Sequence, residues 1–168
     1  MFLAKKPSPA ENKSIMNQLK YLLINLAAIS LFIIDIFLKR IFLALPGREY
    51  FVLGDFLKLK LATNSGIAFG LPIDQRLFLF LYVLIFLILA YWLVKEYRKK
   101  NLIMISALTL VILGALSNLL DRFFFGAVID YLDLKYYGVF NLADVMITFG
   151  VIMIIVSGFK KPNRLKQY

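Results

Sequence analysis

Four apolar runs dominate the chain, and each is close to the ~20 residues that a helix needs to cross a bilayer. They cover about residues 21–43, 77–94, 102–124 and 140–159. Hydrophobic residues make up 61% of the chain and charged residues 18%, and the mean hydropathy is +0.80, far from the averages of soluble proteins. The pattern predicts a single membrane-embedded domain over residues 1–168, all-α with four transmembrane helices.

The long connection between the first two runs, residues 45–76, has a different pattern. Its segment FLKLKLAT alternates apolar and basic residues, and the following NSG is a turn sequence. The alternation predicts a small β-sheet in this connection, and the turn sequence places Asn64 and Gly66 in a turn. For these two residues, a purely structural role in the turn stays open beside a functional one.

Basic residues collect in three segments. Twelve of the twenty Lys and Arg residues, but only two of the ten acidic residues, lie in residues 1–20, 95–100 and 160–168. These three segments therefore carry the whole net charge of +10. By the positive-inside rule, both tails (1–20 and 160–168) and the middle loop are cytoplasmic, and the β-sheet is extracytoplasmic. Because the bases lie at span ends, they suit anionic lipid headgroups, and nucleic-acid binding is not expected.

Polar residues collect in the outer half of this predicted topology. They are Asp35 and Lys39 in the first span, Asn118, Asp121 and Arg122 in the third, Asp130 in the last connection, and Asn141 and Asp144 in the fourth span. Gly114, Asn118 and Arg122 recur at intervals of four, so they share one helix stripe that should face protein or a wet cavity. Acids near hydrocarbon usually mark a working site, although Asp121 and Arg122 could also snorkel to the interface.

The available chemistry is narrow, because the chain has no cysteine and no histidine. Thiolate nucleophiles, imidazole bases and the usual zinc ligands are therefore excluded. Acid–base chemistry is left to Asp, Glu, Lys and Tyr. The pair Asp130 and Asp144 is the leading candidate, since two carboxylates in a partly dehydrated site share a proton and can act as acid and base.

The main candidates also have structural explanations. Asp35 and Lys39 are spaced i,i+4 and could form a local ion pair near a span end. Asn141 could be the N-cap of the last helix with Asp144 at N3, where the helix dipole favours a carboxylate. Asp130 could lie in a solvated loop.

Five segments of the chain resemble, in order and spacing, the signature blocks of the bacterial lipoprotein signal peptidases, also called signal peptidase II. The segments are DIFLK (35–39), NSGIAFG (64–70), GALSNLLDR (114–122), VIDYLDL (128–134) and FNLAD (140–144). The resemblance covers nearly the whole chain except the tails. One departure is Ser117, where the family often has Gly, and it bears on helix packing at that point.

The resemblance implies an aspartic endopeptidase of the bacterial cytoplasmic membrane with its active site near the outer face. It would remove signal peptides from diacylglyceryl-modified prolipoproteins by cutting before the lipidated cysteine. The catalytic dyad would be Asp130 and Asp144, without metal or cofactor. Seven further residues match positions that bind substrate or shape the site: Asp35, Lys39, Asn64, Gly66, Asn118, Arg122 and Asn141. The expected partners are the prolipoprotein substrates and membrane lipid, and the expected state is a monomer.

A non-enzymatic alternative is a four-span transporter or channel subunit that uses Asp35, Asp130 and Asp144 as a proton relay. Such a protein should distribute its acids across the membrane and show an internal repeat. In this chain the acids cluster at one predicted face and the two halves are not similar, so a hydrolase is favoured.

Overall fold

The computed structural model describes residues 8–65 and 75–159, and these residues form four long helices and four strands. In chain order they are α1 (Pro9–Ala44), β1 (Glu49–Leu53), β2 (Leu57–Asn64), α2 (Gln75–Lys99), α3 (Leu102–Phe125), β3 (Val128–Leu134), β4 (Gly138–Phe140) and α4 (Leu142–Phe159). Each of the four helices is long and apolar enough to cross a membrane. The predicted fold class, four spanning helices with a small β-sheet, is confirmed.

Helix α1 begins at Pro9, well inside the segment predicted to be a tail. The Ser8 hydroxyl accepts the Glu11 backbone N–H at 3.3 Å, and the Glu11 carboxylate accepts the Ser8 N–H at 2.6 Å. This reciprocal capping box, with Pro9 in the first turn, starts a helix in polar sequence. Hydropathy detects only the apolar part of a helix, which explains the difference.

The sheet is antiparallel with the strand order β1-β2-β3-β4, so it joins the two connections that were predicted to face outward. The sequence predicted a sheet in the first connection alone, whereas the sheet also includes β3 and β4 from the last connection. The physical reason is that an isolated two-stranded hairpin is only marginally stable, so β1 and β2 need further strands. Asn64 is the last residue of β2 and lies opposite Val128. Its predicted place in a turn is therefore wrong, because β3 supplies a partner that extends the strand. Gly66 lies outside the described residues.

Helix α3 is central in the bundle and packs against α1, α2 and most extensively α4. Two glycines make the contact with α4 close. A Cβ on Gly114 would lie 2.6 Å from the Ala143 carbonyl oxygen, and one on Gly150 would lie 2.6 Å from Val111 Cγ2. Small residues let helix backbones approach in this way. The close contact brings the polar end of α3 against the first turn of α4.

Candidate active site

Asp130 lies in the interior of β3, and only 4% of it is exposed. Opposite this part of β3, strand β2 is irregular: Leu59 pairs with Leu132 and Ala62 with Asp130, which leaves two β2 residues facing one residue of β3. Bulges of this kind bend a strand and redirect side chains, often beside functional sites. The alternative that Asp130 belongs to a solvated loop is wrong.

Asp144 lies in the first turn of α4 and forms the predicted capping arrangement. Asn141 Oδ1 accepts the Asp144 N–H at 2.8 Å, and Asp144 Oδ2 accepts the Asn141 N–H at 3.3 Å. Its other oxygen, Oδ1, accepts a hydrogen bond from Asn118 Nδ2 of α3 at 2.7 Å. A helix cap does not need this second contact. Asp144 is therefore a capping residue and also part of a network between elements.

Two asparagine amides connect the carboxylates of Asp130 and Asp144. Asn141 Nδ2 donates to Asp130 Oδ1 at 2.7 Å and also lies 3.1 Å from Asn118 Oδ1. Asn118 then donates to Asp144 as described above. The chain of contacts runs from Asp130 through Asn141 and Asn118 to Asp144. Four residues that sequence analysis singled out on β3, α3 and α4 thus meet in one site.

The surroundings of β3, which lies outside the spanning helices, change the acidity of its side chains. Burial, followed by the negative charge of Asp144, raises the pKa of Asp130 to about 7, although the hydrogen bond from Asn141 opposes this. Burial and the nearby Asp35 also raise the pKa of Tyr131, which therefore remains a protonated donor. Asp130 is thus suited to hold a proton near neutral pH.

A second polar cluster lies beside the first and centres on Lys39. Its Nζ lies 2.8 Å from Asp35 Oδ2 and 2.7 Å from Asp121 Oδ2, so the predicted i,i+4 pair forms but has a third member. Asp121 is 3% exposed and accepts the Ile129 N–H at 3.1 Å, so the snorkelling alternative is wrong for this residue. Ser117 is fully buried and donates to Asp35 at 2.5 Å. The hydroxyl at this position thus fits within tight helix packing.

Asp35 accepts hydrogen bonds from the residues next to both candidate catalytic aspartates. Its Oδ1 accepts the Tyr131 hydroxyl at 2.9 Å and the Ala143 N–H at 3.2 Å. These residues directly follow Asp130 and directly precede Asp144. The ring of Phe42 stacks parallel on Tyr131 with centroids 5.4 Å apart. Helix α1 therefore holds β3 and α4 in a common position.

Sequence analysis missed Tyr131, although it lies inside a motif. A tyrosine in an apolar strand is a weak signal by itself, since a buried hydroxyl needs a partner that only the fold reveals. Tyr82 of α2 was missed for the same reason, and its hydroxyl donates to the Ala115 carbonyl oxygen of α3.

The remaining candidates lie at the edge of the site. Arg122 donates to the Asn118 carbonyl oxygen at 3.3 Å and is within electrostatic range of both candidate catalytic aspartates. Asn64 lies opposite Val128, two residues before Asp130 along β3. Within residues 8–65 and 75–159, no group of three or more acidic side chains is arranged to hold a metal ion.

An apolar cavity of about 300 Å³ borders the Asp144 side chain. Its other walls come from the β3–β4 hairpin and from one face of α4: Leu134, Tyr137, Phe140, Val145, Thr148, Phe149 and Ile152. The cavity therefore offers an apolar surface directly beside a carboxylate.

The fold and the site define a multi-pass membrane protein with two amide-bridged aspartates at one end of a helical bundle. Residues 27–160 match the family described as signal peptidase (SPase) II, and the chain belongs to this family. It is therefore a membrane protease, and the alternative of a proton-relay transporter is not supported.

Relatives and solved structures agree with this assignment. The lipoprotein signal peptidases of Staphylococcus aureus strains JH9 and Newman are each 35% identical over 126 residues, which is 72% of this chain and 77% of the relative. A bacterial membrane enzyme solved by the in meso method at 1.9 Å resolution is 32% identical with a TM-score of 0.68, covering 84% of this chain and 93% of its own. A second such structure at 2.3 Å is 31% identical with a TM-score of 0.71, covering 88% and 92%.

Proposed function

We propose that the protein is an aspartic endopeptidase that removes signal peptides from diacylglyceryl-modified prolipoproteins by cutting before the lipidated cysteine. The observation that carries this proposal is the amide-bridged pair Asp130 and Asp144. The names of the relatives, lipoprotein signal peptidases, support the substrate class.

In the first step, Asp144 acts as general base and Asp130 as general acid. Asp144 borders the cavity and takes a proton from a water molecule, whose oxygen attacks the scissile carbonyl carbon. Asp130, with its raised pKa, donates its proton to the carbonyl oxygen. A neutral gem-diol forms without metal or cofactor.

In the second step, the carbon–nitrogen bond breaks. Asp144 gives its proton to the leaving nitrogen, which becomes the amino group of the lipidated cysteine. Asp130 recovers its proton from one hydroxyl of the gem-diol, and the carboxyl terminus of the signal peptide is formed. Both carboxyl groups return to their starting protonation states.

The groups around the dyad supply substrate binding. Arg122, Asn64 and Gly66 belong to two of the signature motifs and are proposed to hold the extended substrate backbone. Asn118 and Asn141 shape the site through their contacts with the carboxylates. The apolar cavity beside Asp144 is suited to the hydrophobic part of the substrate next to the scissile bond.

The proposed setting is the bacterial cytoplasmic membrane, with the site near the outer face. The charge distribution supports cytoplasmic tails at 1–20 and 160–168 around a single domain. A substrate held by its own helix and acyl chains would present its cleavage point at this interface. The protein is proposed to act as a monomer.

The proposal is tested with purified protein in lipid nanodiscs and a diacylglyceryl-modified prolipoprotein. Mass spectrometry should find a product that begins at the lipidated cysteine, while the unmodified precursor should remain uncut. Asp130→Asn and Asp144→Asn should each lower kcat by about 10²- to 10⁴-fold, as expected for loss of a general acid or base.

A matched control is Asp133→Asn, which also changes an aspartate of β3 to its amide. Asp133 pairs with Lys60 at 2.7 Å and is not part of the dyad network, so cleavage should continue at the normal rate. Full activity in either dyad variant would refute the aspartic mechanism.

A further inference from the structure

Lys39 places a buried ammonium group among four oxygen atoms. Only 2% of the residue is exposed. The acceptors, at 2.7 to 3.0 Å, belong to Asp35, Asp121, Ser117 and Asn118. Two carboxylates stabilise the cation in this position, since a buried charge needs partners. The proposed reaction does not use Lys39, so its position requires another explanation.

The contact with Asn118 leads directly to the dyad. An asparagine amide can present either its oxygen or its nitrogen to a neighbour, whereas an ammonium group can only donate. Lys39 lies 3.0 Å from Asn118 Oδ1, and the opposite end of the same amide, Nδ2, donates to Asp144. The ammonium group therefore favours the orientation in which Nδ2 faces the carboxylate of Asp144.

The same orientation serves the other half of the dyad. Asn118 Oδ1 also accepts from Asn141 Nδ2, which donates to Asp130. A rotated amide would present Nδ2 to two donors, Lys39 and Asn141, and its oxygen to Asp144. Both ends would then be mismatched inside the protein, where unpaired polar groups are costly.

Asp144 alone cannot hold the amide through the whole reaction. As a carboxylate it requires a donor, but after it takes a proton from water it can itself donate to an oxygen. At that stage both amide orientations suit Asp144, whereas Lys39 still requires an oxygen. Asn141 also donates to this oxygen, but it is itself an amide that could rotate, whereas an ammonium group can only donate. Lys39 is therefore the neighbour of Asn118 Oδ1 whose requirement stays the same while the dyad changes protonation.

We propose that Lys39 is a positioning residue that locks the Asn118 amide, so that Asn118 always donates to Asp144 and accepts from Asn141. This inference rests on the proposed function, because it assumes that Asp130 and Asp144 are the catalytic pair. Asp35 and Asp121 act as anchors for the ammonium group.

The test removes Lys39 while the net charge of its cluster stays equal to that of the wild type. Lys39→Met is combined with Asp121→Asn, so one cation and one anion disappear together, and the double variant is compared with Asp121→Asn alone. We expect kcat to fall about a hundredfold, since a small misplacement of catalytic groups has effects of this size. KM should stay within about twofold, because the binding of substrate is not altered.

A mutant cycle shows whether Lys39 acts through Asn118. In the Asn118→Ala background the amide is absent, so adding Lys39→Met to Asp121→Asn should change kcat by less than about threefold. A loss in this background equal to that seen with Asn118 present would overturn the proposal. Unchanged kcat in the first comparison would also overturn it.

The matched control is Lys60→Met with Asp133→Asn, which removes a 2.7 Å ion pair between β2 and β3 by the same chemical changes. Its kcat should equal that of the wild type, and a comparable loss there would overturn a specific role for Lys39. Wild-type cleavage and its loss in Asp130→Asn test the proposed function separately.

A further test uses the wild-type protein, so its result does not depend on whether the variants fold. With ¹⁵N-labelled asparagine, the Asn118 side-chain amide should give one set of NMR signals while the pH is lowered through the titration of the dyad. Exchange between two amide orientations on protonation would overturn the proposal.

Discussion

Asp130 and Asp144 are the same amino acid in different surroundings, and the surroundings divide the proposed roles between them. Asp130 is buried in a strand, whereas Asp144 caps a helix and borders a cavity. Burial favours the neutral form of a carboxyl group. The proton needed for the carbonyl oxygen is therefore expected on Asp130.

The raised pKa of Asp130 predicts how activity depends on pH. As the pH rises through about 7, Asp130 loses the proton that it must donate, so kcat should fall on the alkaline side. Single-turnover cleavage measured against pH should show this fall. A kcat that stays constant from about pH 6 to about pH 9 would contradict the assignment of Asp130 as the acid.

The same pKa can be tested without turnover. In Asp144→Asn the neighbouring negative charge is absent, so the pKa of Asp130 should be lower than in the wild type. Infrared spectroscopy of the protonated carboxyl band should follow this titration. An unchanged or higher pKa would show that Asp144 does not act on Asp130.

The buried hydroxyl group of Tyr131 is expected to stabilise the fold. Tyr131→Phe removes one of the two donors of a buried Asp35 oxygen and leaves the Leu142 N–H without its acceptor. The free energy of unfolding should fall by about 1–3 kcal/mol, measured by denaturant unfolding in detergent. Tyr136→Phe is the control, because Tyr136 is 92% exposed and should show no change. Equal stability of both variants would contradict the role of this hydroxyl.

At the scale of elements, the contact between α3 and α4 sets the geometry of the site. Gly114 lies one turn before Asn118 on α3 and faces the Ala143 carbonyl oxygen, next to Asp144. The hydrogen bond of 2.7 Å between Asn118 and Asp144 depends on this close approach. Helix packing and catalytic geometry are therefore coupled.

This coupling predicts the effect of a single methyl group. In Gly114→Ala the new Cβ would lie 2.6 Å from the Ala143 oxygen and 2.9 Å from Ile147 Cγ1, so the helices must separate. Stability should fall by about 1–3 kcal/mol, and kcat should fall with it. Gly158→Ala is the control, since its Cβ would meet nothing within 4 Å. Normal activity and stability in Gly114→Ala would disprove the coupling.

At the scale of the whole molecule, the polar network and the sheet lie at one end of the bundle. At the other end, in the last turns of α2, buried Glu96 pairs with Lys99 at 2.5 Å and accepts a hydrogen bond from Asn101, which precedes α3. The distribution of basic residues predicts that this second end is cytoplasmic.

Reporter fusions test this orientation. Fusions after Lys100 and at the C-terminus should report a cytoplasmic location, and a fusion near Asp55 should report an external one. The physical reason is the concentration of basic residues at the cytoplasmic span ends. The opposite pattern would place the proposed dyad at the inner face and refute the proposed access of substrate.

Features that depend on local spacing could be predicted from the amino-acid sequence alone. Span number followed from the length of each apolar run, and the pairs Asp35–Lys39 and Asn141–Asp144 followed from helical spacing. The order and spacing of the five motifs also predicted the family. These features need only neighbouring residues, so they are readable along the chain.

Contacts between residues that are distant in the sequence are visible only in the folded protein. The contacts of Lys39 with Asp121 and of Tyr131 with Asp35, and the pairing that extends β2 to Asn64, join segments far apart in the chain. Their formation depends on how helices and strands pack against one another, which local spacing does not specify. The packing of β3, α3 and α4 brings Asp130 and Asp144 together as a pair bridged by asparagine amides.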